Sequence, residues 1–107
     1  MTDPATLLTF ADLALDQSAH AVTRGRREIQ LTVTEYRLLE ALMLRPGQVL
    51  TPRQLAVLLP DTPAASGPQA VRTHLCRLRA KLEAAGEARL VQTVHGTGFV
   101  LRSGGGA

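Results

Sequence analysis

A chain of 107 residues, 45% of them hydrophobic, has room for one domain with a core of its own. That core has to be built from Leu, Val and Ala, because there is no Trp, one Tyr and two Phe. No apolar run reaches the ~18 residues of a membrane span, and Met1-Thr2-Asp3-Pro4 lacks the basic-then-apolar pattern of a secretory leader, so a cytoplasmic protein without membrane contact is expected. Cys76, the single cysteine, excludes an internal disulfide and a cysteine metal cluster.

The first thirty residues read as short strands. Leu8 and Phe10, then Leu13 and Leu15, alternate with polar neighbours. His20 to Thr23 and Glu28 to Leu31 flank Arg24-Gly25-Arg26, where the glycine supplies the positive φ of a hairpin turn. A small antiparallel sheet over about 8–31 is predicted.

Three helices follow. Thr32-Val33-Thr34-Glu35 is a capping box, in which the threonine hydroxyl accepts from the Glu35 amide and the Glu35 carboxylate reaches back. Tyr36, Leu39 and Met43, with Leu38 and Leu42, give this helix, expected over 33–45, one apolar face. Arg45-Pro46-Gly47 ends it. Thr51-Pro52-Arg53-Gln54 repeats the device for a second helix over 52–59, stopped by Pro60. After a Pro-, Ala- and Ser-rich loop from Asp61 to Gly67, a third helix is expected over 68–85, with Gly86 as its cap. Leu90 to Val94 and Phe99 to Leu101, joined by His95-Gly96-Thr97-Gly98, read as a hairpin over about 90–102, and 103–107 as a flexible tail. Sheet, three helices and a hairpin make an α+β domain: helices two and three form a helix-turn-helix, and the last hairpin is a wing.

Charge is unevenly placed. Arg72, Arg77, Arg79 and Lys81 lie between Gln69 and Leu82 with no acid among them, although the chain as a whole carries 12 Lys plus Arg against 9 Asp plus Glu. On a helical wheel Val71, Leu75, Leu78 and Leu82 share one arc. Gln69, Arg72, Thr73, Cys76, Arg77 and Ala80 point away from it, with His74, Arg79 and Lys81 on the flanks. An α-helix fits the major groove, where Arg pairs with guanine, Gln with adenine, and Thr or Ala meets a thymine methyl. The competing reading is a solvated amphipathic helix whose arginines lie over apolar neighbours. Such a helix ordinarily interleaves acids for i,i+4 support, and here none occurs before Glu83. Gln69, Arg72, Thr73 and Arg77 are the expected base readers, and His74, Arg79 and Lys81 the phosphate holders.

The segments Leu31 to Glu40, Pro46 to Leu55, Val71 to Leu82 and Val91 to Phe99 resemble, in family order, the OmpR/PhoB-type effector domain of bacterial two-component response regulators. The resemblance covers roughly residues 8 to 102. It implies a four-stranded N-terminal sheet, a three-helix core and a C-terminal hairpin wing. The recognition helix would lie in the major groove, with the wing at an adjacent minor groove. It also implies tandem, head-to-tail copies on direct repeats of duplex DNA, with RNA polymerase as a further partner. By the same match His74, Arg77 and Arg79 contact phosphate or base, Thr73 faces the bases, and Thr93 and His95 belong to the wing contacts; the wing stretch that ends at Thr97 is expected to straddle the backbone at the minor groove. The chain departs from the family at Arg72, where an acid is usual, at His95, where Arg is usual, and at Leu59-Pro60, where a Trp is usual.

No chemistry competes with this reading. His20, His74 and His95 lack zinc-ligand spacing, no nucleophile sits beside a base, and His95-Gly96-Thr97-Gly98 is followed by no helix that could cradle a phosphate. No cofactor and no enzymatic activity are expected. Cys76 on the outward helix face reads as a small residue at a crowded interface, against the alternative of a thiol switch. The rival from another class is a winged-helix protein-interaction module with vestigial DNA affinity, using the second helix and the Asp61–Gly67 loop.

Overall fold

A computed structural model describes residues 6–59, 62–63 and 66–104. Strands β1 (Leu7–Phe10), β2 (Leu13–Asp16), β3 (Ala21–Arg24) and β4 (Arg27–Ile29) pair antiparallel in sequence order. Helices α1 (Val33–Leu44), α2 (Pro52–Ala56) and α3 (Gly67–Leu82) follow, then the hairpin of β5 (Val91–Val94) and β6 (Gly98–Leu101). Of the loop between α2 and α3, residues 60–61 and 64–65 lie outside the described residues, as do 105–107 of the expected tail. Gly104, at the start of that tail, is held: its carbonyl accepts from the Gln92 amide at 3.1 Å.

Local chemistry sets the elements as the sequence predicts. Arg24 pairs with Arg27 across a two-residue turn in which Gly25 has φ +61°, the left-handed region open to glycine. Both capping boxes are closed. The Thr32 hydroxyl accepts from the Glu35 amide at 3.1 Å and the Glu35 carboxylate from the Thr32 amide at 3.0 Å. Thr51 and Gln54 exchange the same pair of bonds. The second helix is nonetheless shorter than its apolar pattern suggests. Beyond Ala56 the amides of Leu58 and Leu59 bond back only three residues, to Leu55 and Ala56, tightening the chain out of the α-helical path.

The core collects around α3. Val71, Leu75 and Leu78 are fully buried and Leu82 nearly so, packed with Leu38, Leu39 and Leu42 of α1, Leu55 of α2 and Leu13 and Leu15 of the sheet. Each such side chain contributes ~1.5–3 kcal/mol of apolar burial. The wing joins this core through Val91, Phe99 and Leu101. It gains a third rung where Leu50 and Phe99 exchange backbone hydrogen bonds of 2.8 and 2.9 Å. Gly98 permits that approach, because any Cβ there would overlap the Leu50 carbonyl.

The end of α3 falls at Leu82, earlier than the expected 85, because its last carbonyls are engaged elsewhere. Arg24, buried on β3, donates from Nη1 to the Leu82 carbonyl at 2.9 Å and from Nη2 to the Ala88 carbonyl at 2.6 Å, while its Nε meets the Asp12 carboxylate at 3.1 Å. Arg27 donates to the Lys81 and Leu82 carbonyls at 3.2 Å and binds Glu87 at 2.6 Å. The amides that would have continued the helix turn away. Ala85 N–H goes to the Glu87 carboxylate and Gly86 N–H to the Glu83 carbonyl, each at 2.9 Å. Two guanidinium groups thus occupy the negative end of the helix dipole.

Glu35 has a second task. Its buried carboxylate also receives Lys81 Nζ at 2.6 Å, tying the start of α1 to α3. Burial alone would push this carboxyl up. The hydrogen bonds from Lys81 and the Thr32 amide, with the Lys81 charge, outweigh it and hold the group below the ordinary carboxylate value.

Two outcomes follow for stability. Glu35→Gln should cost about 1–3 kcal/mol at pH 7, since Lys81 is left without its partner. A carboxylate whose folded pKa is lowered contributes fully above the ordinary range and loses its contribution as pH falls through the folded value. The variant should therefore approach wild type in urea melts below about pH 4, and an equal deficit at pH 7 and pH 3 would count against the pair. Arg24→Met, which keeps the apolar stem but removes every donor, should lower stability by about 2–4 kcal/mol; an unchanged melt would mean that water serves those carbonyls equally well.

Candidate nucleic-acid interface

The buried stripe of α3 leaves Gln69, Arg72, Thr73, Cys76, Arg77 and Ala80 exposed on the other side, as the helical wheel predicts. Among the described residues neither Arg72 nor Arg77 has an acidic partner within the protein. Thr73 donates from its hydroxyl back to the Gln69 carbonyl at 3.2 Å, which orients that hydroxyl along the helix. Thr93, His95 and Thr97 are exposed on the wing.

The two flanks of α3 differ. On one, Arg79 spans to the wing: Nε donates to the Val91 carbonyl at 2.8 Å, Nη2 to the Thr93 hydroxyl at 2.5 Å, and the guanidinium lies 5.6 Å from the Phe99 ring centroid. On the other, Lys81 reaches Glu35 of α1. Both residues, expected to hold phosphate, also have internal partners that fix α3 against its neighbours. His74 is half-buried, and its Nδ1 is buried without a hydrogen-bond partner among the described residues.

Between α3 and the wing lies a cleft of about 360 Å³ lined by Arg72, Pro52, Thr93, His95, Gly96 and Thr97, among others. Two sequence candidates from separate elements, Arg72 on the helix and Thr93 to Thr97 on the wing, are thereby brought together.

Arg24 and Arg27 escaped the sequence reading, which saw only a hairpin. A signal was present: Arg24 follows Val22 at the two-residue period of a strand, so both point to the buried face. Their carbonyl acceptors lie 54 to 64 residues away in the chain, which no local pattern encodes.

No group of three or more metal-binding side chains occurs among the described residues, and no helix there is long and apolar enough to cross a membrane.

Comparison with known proteins agrees with this geometry. The family described as "Transcriptional regulatory protein, C terminal" matches residues 26–101. The response regulator MprA of Mycobacterium sp. strain KMS is 44% identical over 95 residues, 89% of this chain and 41% of its own length. The chain thus spans about two-fifths of the curated relatives it matches. Among solved structures, the AdeR DNA-binding domain in complex with an intercistronic region superimposes with a TM-score of 0.77 at 26% identity, covering 88% of this chain and 96% of that one. DrrB of Thermotoga maritima, an OmpR/PhoB homologue, gives 0.78 at 26% identity over 92% of this chain and 45% of its own. With its four-stranded sheet, three helices and wing, the chain belongs to the family of OmpR/PhoB-type C-terminal domains of transcriptional regulators, which are winged-helix DNA-binding domains and not enzymes.

Proposed function

We propose that this domain reads duplex DNA in a sequence-specific manner as the output module of a bacterial response regulator acting in the cytoplasm. The observation that carries this reading is the outward face of α3, exposed and acid-free, opposite a stripe that packing makes immovable. With α3 in the major groove, Gln69, Thr73 and Arg77 meet base edges, and the small Cys76 and Ala80 allow close approach. The wing residues Thr93, His95 and Thr97 lie at the adjacent minor groove and backbone. His74 faces the backbone on the α1 side. Arg79 and Lys81 strengthen the positive field, while their hydrogen bonds hold wing and helix in register. Two copies bind head-to-tail on a direct repeat. The complex of the similar AdeR domain with an intercistronic region supports DNA as the partner.

Selection of bound duplexes from a random pool at near-physiological salt should recover a direct repeat with half-sites about one helical turn apart. A bound pool as random as the input would contradict sequence reading by this chain. On the recovered site Arg77→Ala should relax preference at one base pair by about 1–3 kcal/mol. Equal weakening on every sequence would assign Arg77 to the phosphates instead.

A further inference from the structure

Arg72 does not sit where a base reader should. Helical periodicity brings residues seven apart back to within about 20° of one another, so Arg72 shares the edge of α3 that carries Arg79. That edge faces the wing, because Arg79 donates to the Val91 carbonyl and the Thr93 hydroxyl. Arg72 lies two turns, about 10 Å, nearer the start of the helix. There it lines the helix–wing cleft together with Thr93, His95 and Thr97. The centre of the outward face, by contrast, is formed by Thr73 and Ala80, about a quarter-turn round.

The cleft has the chemistry of an anion site. A guanidinium without an acidic partner among the described residues forms one wall, threonine hydroxyls and a histidine line the other, and none of the described residues lining it is acidic. Arg79 is already engaged across the base of the wing, which leaves Arg72 as the arginine on this edge with donors to offer. A helix in the major groove and a wing at the neighbouring minor groove are separated by one sugar–phosphate strand. A planar guanidinium matches a phosphate bidentately.

We infer that Arg72 and the wing clamp a phosphodiester of that strand, so that Arg72 sets affinity and register without reading sequence. This rests on the DNA-binding reading above and reassigns a residue that the helical wheel had placed among the base readers.

The test uses Arg72→Ala and Arg72→Lys on the duplex recovered by selection and on an unrelated duplex, across a salt series. Arg72 is exposed, so the fold should survive, and circular dichroism checks it. The clamp predicts that Arg72→Ala weakens both complexes by a similar factor, about three- to tenfold, and lowers the slope of log K against log salt by about 0.9. The selected sequence should be unchanged, and Arg72→Lys, which keeps the charge but not the bidentate fork, should restore the wild-type salt slope and only part of the affinity. A neutral methylphosphonate at the contacted linkage should abolish the difference between wild type and Arg72→Ala. A loss confined to the recovered site with altered preference at one base pair and an unchanged salt slope would overturn the clamp, as would no loss at all. Failure of wild type to bind either duplex would appear before any variant is measured and would refute the DNA-binding reading itself.

Discussion

The molecule depends on one helix being core and surface at once. Val71, Leu75, Leu78 and Leu82 are shut away by α1, α2, the sheet and the wing, so α3 cannot rotate without exposing some of the most buried side chains in the protein. Deleting any one of these leucines would cost ~2–5 kcal/mol, a large part of the marginal stability of a domain this size. The same packing therefore decides which residues face outward. Shape and exposed face are a single property of the helix.

Polar contacts then fix what apolar packing leaves free, namely sliding and tilt. Arg24 and Arg27 hold the C-terminal carbonyls of α3, Glu35 holds one flank through Lys81, and Arg79 holds the other against the wing. Each of these cations directs donors to carbonyl, carboxylate or hydroxyl oxygens, the condition under which a charge tolerates burial. A formal net charge of +3 conceals this division of labour. Arg24, Arg27, Arg79 and Lys81 face inward partners, whereas Arg72 and Arg77 face solvent. Part of the excess of basic over acidic residues thus serves architecture.

Much of this was legible because it is local. The capping boxes at Thr32 and Thr51 need only residues three apart, the hairpin at Gly25 only neighbours, and the stripe of α3 only a period of 3.6 residues. The exposure of the opposite face followed from the same arithmetic. What escaped was long-range or marginal. The sequence pattern gives Arg24 an inward direction but not the Leu82 carbonyl it meets, and the end of α3 moved to Leu82 because of that distant contact. The apolar run through Leu59 hid the early exit from α2, where Leu58 and Leu59 are folded into tight turns and Leu59 is still buried. The bond from Lys81 to Glu35, already occupied by its capping box, was not legible in the sequence because the two lie 46 residues apart. Arg72 sat at the border of the outward arc, and only the bonds of Arg79 revealed that this border faces the wing.

The central claim is that the outward face of α3 and the wing form one DNA-binding surface on a rigid support. The most direct measurement is a set of backbone amide spectra of the labelled domain titrated with the duplex recovered by selection. Perturbations should concentrate between Gln69 and Arg77 and between Thr93 and Thr97, leaving β1 to β4 and the Arg24–Leu82 junction unmoved. Perturbations centred on α2 or on the four-stranded sheet, with α3 silent, would contradict it.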